Sequence, residues 1–244
     1  MKFRDTSSRV TAAAVFIASL FCLASAVHAA QSPDVVISEI MFNPDGDENA
    51  REYVEVYNHS DSPVSFEGCR IGDGSAFDLV ATVPGGGWIV PPNGYAVVFD
   101  PDYFTSGAPY ANIPKDAVLF TVGDGAIGSR GFSNSSPETI SIVSAGGDTI
   151  SSVRYDTSCP AGHSWERVIP GGGDGPENFH PSLAKEGTPG AKNSVTPPDA
   201  NPSMGEGSIR FDPPEPVMGK PADIVVSFRN GGLGVVLGVR VVLF

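Results

Sequence analysis

An acidic turn near the start of the chain has the residue types best suited to binding a ligand. The turn at 43–49 contains Asp45, Asp47 and Glu48, and Glu52 follows four residues after Glu48. Closely spaced carboxylate and amide oxygens are the ligands that Ca²⁺ prefers. The spacing lacks the twelfth-position glutamate of an EF-hand loop, and acidic loops are common on solvated surfaces. The pattern therefore fits either a calcium site formed by these four carboxylates or, as the commoner case, a solvated turn.

Other catalytic and ligand-binding motifs are incomplete. Residues 123–128 match G-x-G-x-x-G, but a loop and not a helix follows, so the motif lacks a helix N-terminus for a pyrophosphate. His59, His163 and His180 lack the H-E-x-x-H spacing of zinc sites. His163 lies beside Ser164, but adjacent residues on a strand point to opposite faces, so these two cannot act as a catalytic pair. The remaining possibility is a Ser–His pair formed by residues that are distant in sequence. The sequence therefore predicts no enzyme and no cofactor apart from the possible calcium.

The N-terminus has the pattern of a secretory signal. Lys2 and Arg4 begin a basic segment, an apolar run covers 11–27, and small residues ending at Ala29 offer a cleavage site. The apolar run is short for a bilayer span. We therefore predict a signal peptide over 1–29, no transmembrane segment in the mature chain, and an exported product in the periplasm, at the cell surface or secreted.

The net charge argues against one class of partner. The predicted signal peptide carries three basic residues and one acidic residue, so its removal takes the net charge from −13 to −15. Binding to nucleic acid depends on clustered Lys and Arg. We therefore expect no nucleic acid, and a protein or a surface polysaccharide as partner.

Two cysteines remain in the mature chain, Cys69 and Cys159. In an oxidising compartment an even pair is consistent with a disulfide, which we slightly favour. Two free buried thiols are the alternative, because the sequence does not show whether the two Cα atoms lie close enough.

The periodicity predicts an all-β chain. In residues 52–58, successive side chains of a strand would point to opposite faces, so Val54 and Val56 lie on one face and Glu55 lies on the other. Similar runs, rich in Val, Ile, Tyr, Phe and Thr, recur between turns and indicate a sandwich or barrel. These strand-length runs lie at 35–41, 52–58, 69–72, 88–90, 95–99, 117–122, 139–143, 149–155 and 164–168.

The composition changes after Asn193. Residues 194–207 are rich in proline and predict an extended linker. Strand-like runs return at 208–244, and the apolar strand 239–244 ends the sequence. Because so few strands cannot bury a sandwich core, we predict a partial second β-domain that is truncated, or a segment that pairs with another chain.

Five stretches in order resemble the lamin-tail domain family in its bacterial exported form. They are 36–41, 52–58, 68–73, 92–98 and 187–193. The resemblance implies an immunoglobulin-like β-sandwich over residues 33–193. The segment 208–244 resembles the start of an immunoglobulin-like adhesion module of the CARDB type.

Two details accompany this resemblance. Cys69 departs from the family, which usually has a tryptophan there. The closing Thr188-Pro189-Gly190 and the terminal Asn193 suit a cap at the end of a domain, because Pro fixes φ, Gly allows positive φ and Asn can bond the backbone.

The resulting functional prediction is a non-catalytic exported module for adhesion, surface attachment or domain tethering. The alternative is an accessory part of a larger exported hydrolase, a nuclease or phosphoesterase, whose catalytic domain is not in this chain.

Overall fold

The structure, a computed structural model, describes residues 34–234. The predicted signal peptide, 1–29, and the predicted last strand, 239–244, lie outside the described residues. Within 34–234, no helix has the length and apolar character needed to cross a membrane.

Short strands make up nearly all the regular structure up to residue 181. A helix of five residues, α1 (Pro101–Thr105), and a 3-10 turn (Pro176–Asn178) are the helical elements in this part. In chain order the strands are β1 (Val35–Met41), β2 (Tyr53–Asn58), β3 (Val64–Ser65), β4 (Arg70–Gly72), β5 (Phe77–Thr82), β6 (Ile89–Val90), β7 (Tyr95–Phe99), β8 (Val118–Val122), β9 (Thr139–Val143), β10 (Thr149–Arg154), β11 (Trp165–Arg167) and β12 (Phe179–Pro181).

Ten of these strands form one curled sheet in the order β10-β9-β4-β5-β8-β7-β2-β1-β11-β12. Neighbours are antiparallel except β7 and β8, which are parallel. Strands β3 and β6 form a separate two-stranded ladder. The curl brings β10 back to β1, where the Ile37 N–H donates to Ser151 Oγ at 3.0 Å. The two halves of the sheet therefore face each other and enclose a core, as in a β-sandwich.

The alternation predicted for β2 is confirmed. Val54 and Val56 are fully buried in the central core, together with side chains from both halves of the sheet. Tyr53 points to the opposite face and packs in a second apolar cluster with Phe99 of β7 and Tyr103 of α1. The outer face of β2 and β7 is therefore also covered.

A β-bulge in β1 changes which side chains reach this outer face. The pairing of β1 with β2 shifts register between Ile37 and Glu39. Both Ile37 and Ile40 lie in the central core although they are three residues apart. An extra residue in one strand breaks the alternation of two, which is the effect of a bulge. Glu39 consequently lies on the outer face.

The sandwich extends slightly beyond the predicted boundary at Asn193. Ser194 Oγ and the Val195 N–H both donate to Glu166 Oε2, at 2.7 and 3.0 Å. Thr196 Oγ1 donates to the Arg167 carbonyl at 3.3 Å. Residues 194–196 therefore belong to the sandwich and not to the linker.

The rest of the described chain forms two small ribbons. In chain order their strands are β13 (Pro202–Ser203), β14 (Ile209–Asp212), β15 (Asp223–Val226) and β16 (Arg229–Asn230). Strand β13 pairs with β16, and β14 pairs with β15. Strand β13 lies inside the segment predicted to be a linker.

Candidate functional site

The four carboxylates of the predicted calcium site have separate environments. Asp45 forms an ion pair with Lys185 at 2.5 Å. Asp47 is exposed, and exposed Glu48 accepts a hydrogen bond from the side-chain amide of Asn134. Glu52, in contrast, is buried. Within residues 34–234, no group of three or more His, Cys, Asp or Glu side chains is arranged to hold a metal ion. The structure therefore does not assemble the four residues into one cation site.

Glu52 instead supports the loop that precedes β9. Both oxygens of its carboxyl group accept from the Phe132 N–H, at 3.2 and 3.1 Å. Gly131, at φ +81°, lies against the same group. Burial raises the pKa of Glu52 to about 9, with smaller contributions from Asp100 and other nearby carboxylates. Glu52 is therefore a neutral, buried acceptor at pH 7.

The disulfide favoured from the sequence is not formed. Cys69 and Cys159 are both free and buried. Cys159 Sγ donates to the carbonyl oxygens of His163 and Ser164, at 3.3 and 3.4 Å, and burial raises its pKa to about 12. Both thiols lie in the central core as small apolar side chains, which is the alternative that the sequence left open.

The motifs that resembled catalytic sites have structural roles. His163 Nδ1 lies 2.8 Å from the Ser182 carbonyl oxygen and 3.4 Å from Ser182 Oγ. Ser182 Oγ itself donates to the Ala184 carbonyl at 2.6 Å, so its proton is not directed at the imidazole. In the glycine-rich loop, the Ile127 N–H donates to Asp100 and the Gly128 N–H donates to Asp78. These amides are therefore bound to carboxylates of the protein itself.

A row of three buried glutamates is the most unusual feature of the outer face. Glu39 of β1 pairs in register with Glu55 of β2 and with Glu166 of β11. All three are 0% exposed. We call this row the carboxylate ladder. It was missed in the sequence because only the bulge in β1 brings Glu39 level with the other two.

The segment 186–196, here called the strap, crosses the ladder and binds it. The Gly190 N–H donates to Glu55 Oε2 at 2.6 Å, and the Thr188 N–H donates to Glu39 Oε1 at 2.9 Å. Glu166 accepts from the strap through Ser194 and Val195, as described above. Asn193, which was predicted to bond the backbone, donates to the carbonyls of Ser38 and Arg167, at 2.8 and 3.0 Å.

Side chains from the sheet satisfy the remaining ladder oxygens. Tyr53 donates its hydroxyl to Glu39 Oε1 at 2.6 Å, and Ser38 Oγ donates to Glu55 Oε1 at 2.6 Å. With the strap bonds included, all six carboxyl oxygens have a hydrogen-bond partner. The ladder is therefore occupied by the protein itself and offers no free acid or base.

Two carboxyl groups of the ladder also have raised pKa values. Burial, together with the charge of Glu166, raises the pKa of Glu39 to about 7. Burial and the charge of Glu39 raise the pKa of Glu55. Thr188 Oγ1 lies 3.1 Å from Glu39 Oε2 and 2.9 Å from Glu166 Oε1, yet a hydroxyl has a single proton to donate. The hydroxyl therefore bridges Glu39 and Glu166 through a shared proton.

An open cleft of about 550 Å³ lies on the outer face beside the ladder. Its wall on β2 and β7 consists of Tyr57 and Tyr95, which are cross-strand partners with ring centroids 4.7 Å apart. His59 meets the Tyr57 ring edge-on at 5.9 Å. We call this the aromatic cleft, and it is also lined by Pro170, by Lys192 and Thr196 of the strap, and by Asp199 and Leu233 of the following segment. The strap therefore forms both the cover of the ladder and one wall of the cleft.

Comparison with known proteins identifies one family. A family model described as Lamin Tail Domain matches residues 28–157, which is more than half of the chain. A search of curated proteins finds no match.

Proposed function

Because the chain belongs to the lamin tail domain family and has the immunoglobulin-like, all-β fold of that family, we propose that it is an exported, non-catalytic binding module that attaches to a surface partner. Export is supported by the basic and apolar pattern of residues 1–29. Fold alone does not define a role, so the proposal depends on the site.

The aromatic cleft is the observation that carries the proposal. It is concave, and aromatic rings and polar side chains share its lining, which is typical of ligand-binding sites. Part of its wall stands on β2 and β7 and part on the strap, which is bonded to the sheet, so these parts are held in place before any ligand arrives. The neighbouring carboxylates are already bound to donors of the protein, which favours binding over chemistry.

The test has two parts and uses the full chain. Expressed in a bacterial host, the protein should be found outside the cytoplasm, and mass spectrometry should place its new N-terminus just after Ala29. The purified protein should then associate with intact bacterial cells more than serum albumin does under the same conditions. A product that stays uncleaved in the cytoplasm contradicts export, and binding no greater than that of albumin contradicts attachment.

A further inference from the structure

We propose that the aromatic cleft binds an uncharged glycan, with a sugar ring against Tyr57 and Tyr95 and a hydroxyl directed toward Asn193. This inference rests on the binding function proposed above and names its ligand class. The cleft supplies the two kinds of surface that a sugar requires, an apolar face for its C–H groups and polar atoms for its hydroxyls.

The aromatic wall provides the apolar surface. Tyr57 and Tyr95 are both half-buried, so their rings are fixed by the sheet while part of each remains open to the cleft. The Tyr57 hydroxyl donates to Asn93 Oδ1 at 3.3 Å, which further fixes its ring. A rigid aromatic pair offers a large contact area at low entropic cost.

A small cavity beneath the cleft provides the polar end. It measures about 10 Å³ and shares Tyr57, Tyr95 and Thr196 with the cleft. Asn193 also lines it, and this side chain is only 5% exposed.

Asn193 has one free acceptor. Its amide nitrogen donates to the carbonyls of Ser38 and Arg167, at 2.8 and 3.0 Å, which fixes the orientation of the side chain. Its Oδ1 has no hydrogen-bond partner among the described residues. Because an unpaired buried acceptor is costly, a hydroxyl donor reaching the cavity would be favoured there.

The charges favour an uncharged ligand. Lys192 on the cleft wall is paired with Asp199 at 3.2 Å, so the two charges largely cancel. The whole chain carries a net charge of −13, which opposes the approach of a polyanion. An anionic glycan or a nucleic acid therefore fits this cleft less well than a neutral chain of sugars.

The size of the site favours a glycan over a protein. A cleft of about 550 Å³ lies within the usual range for small-ligand sites. Protein partners, in contrast, usually bury a broad and fairly flat surface. If the cleft accepts a peptide and not a sugar, every neutral tetrasaccharide will fail to bind in the experiment below.

The experiment is calorimetric titration of the full chain with neutral tetrasaccharides of glucose, xylose, mannose and N-acetylglucosamine. At least one series should bind, and Tyr57→Ala and Tyr95→Ala should each weaken that binding by about tenfold or more, because each removes an aromatic face. Tyr57→Phe keeps the ring and should bind within about threefold of the wild type.

The matched control is Phe77→Ala. Phe77 is 43% exposed on β5 and does not line the cleft, so this change should leave the affinity unaltered. Thermal melting of each variant reports whether its fold is intact, and Tyr57→Phe keeps the test decisive if an alanine variant fails to fold.

Two results would overturn the inference. They are the absence of binding to every neutral tetrasaccharide at millimolar concentration, and equal binding by wild type and a folded Tyr57→Ala. If Tyr57→Ala and Tyr95→Ala still attach to cells as the wild type does, the glycan inference fails while the proposed attachment function stands. If the wild type does not attach at all, the function itself fails.

Discussion

Replacing Glu52 by Gln tests whether this residue is a neutral buried acid or an ionised surface ligand. Gln keeps the size of the side chain and an oxygen that accepts the Phe132 N–H, but it has no proton to lose. Glutamine is therefore a close structural mimic of a neutral Glu52. At or below pH 4.5, where Glu52 is protonated in the folded and unfolded chains, we expect the two proteins to differ in free energy of unfolding by less than about 1 kcal/mol.

The difference should then grow with pH. The pKa of Glu52 rises from its usual 4.5 to about 9 in the folded protein, so between these values the folded chain holds a proton that the unfolded chain has released. The stability from this group is fully present below pH 4.5 and is lost as the pH rises through about 9. The slope inside that window is about 1.4 kcal/mol per pH unit.

Denaturant titrations of both proteins at several pH values measure this slope directly. From about pH 6 to about pH 8 the Glu52→Gln variant should gain about 3 kcal/mol relative to the wild type. Burial also raises the pKa values of Glu39 and Asp100 to about 7, but these groups titrate in both proteins and cancel in the difference. Parallel stability curves over this range would show that Glu52 is ionised alike in the folded and unfolded chains and would refute the reasoning.

Three further predictions concern the strap and the thiols. Gly187 has φ +70° and a Cβ there would overlap the carboxylate ladder, so Gly187→Ala should lower the free energy of unfolding by about 2 kcal/mol or more. Its control, Gly85→Ala, has φ +82° and nothing within 4 Å of the added Cβ, and should cost only about 1 kcal/mol. Asn193→Ala removes two buried hydrogen bonds and should cost about 2–4 kcal/mol by urea titration, with a smaller loss contradicting its role as a cap. Adding a reductant should leave the melting midpoint unchanged, because Cys69 and Cys159 are free, and a lower midpoint would reveal a disulfide.

The parts of the fold that follow from local pattern were predictable from the sequence. Val54 and Val56 alternate with polar neighbours, and the period of two alone places them in the core. The proline, glycine and terminal asparagine of the strap likewise predicted a cap that bonds backbone, and Asn193 binds the carbonyls of β1 and β11.

The carboxylate ladder depends on long-range register and was not predictable in the same way. Glu39 joins Glu55 and Glu166 because β1 contains a bulge and lies between β2 and β11. A strict alternation along β1 gives no indication of that bulge. One signal was present for Glu55, which lies between Val54 and Val56 in a run of strand-forming residues. An acid in such a position is a candidate for a buried, hydrogen-bonded group.

The calcium and disulfide predictions both relied on residue types and on position along the chain. Their residue types grouped Glu52 with Asp45 as acidic ligands. In the structure the side chain of Glu52 is buried, whereas that of Asp45 is exposed. Similarly, two cysteines in one core need not have the separation and orientation that a disulfide requires. Spacing along the chain does not determine either arrangement.

The strap links the buried outer face of the sandwich to the aromatic cleft. The family match stops at residue 157, yet the outer face is completed by β11, β12 and the strap, which lie beyond it. Without the strap, Glu39 would lose the hydrogen bond from the Thr188 N–H and Glu55 would lose the one from the Gly190 N–H. The two carboxyl groups would still lie side by side on neighbouring strands. The cleft would lose the wall that contains Lys192 at the same time. The strap therefore contributes both to the buried outer face of the sandwich and to the cleft, while Asp199 and Leu233, which follow it in the chain, also line the cleft.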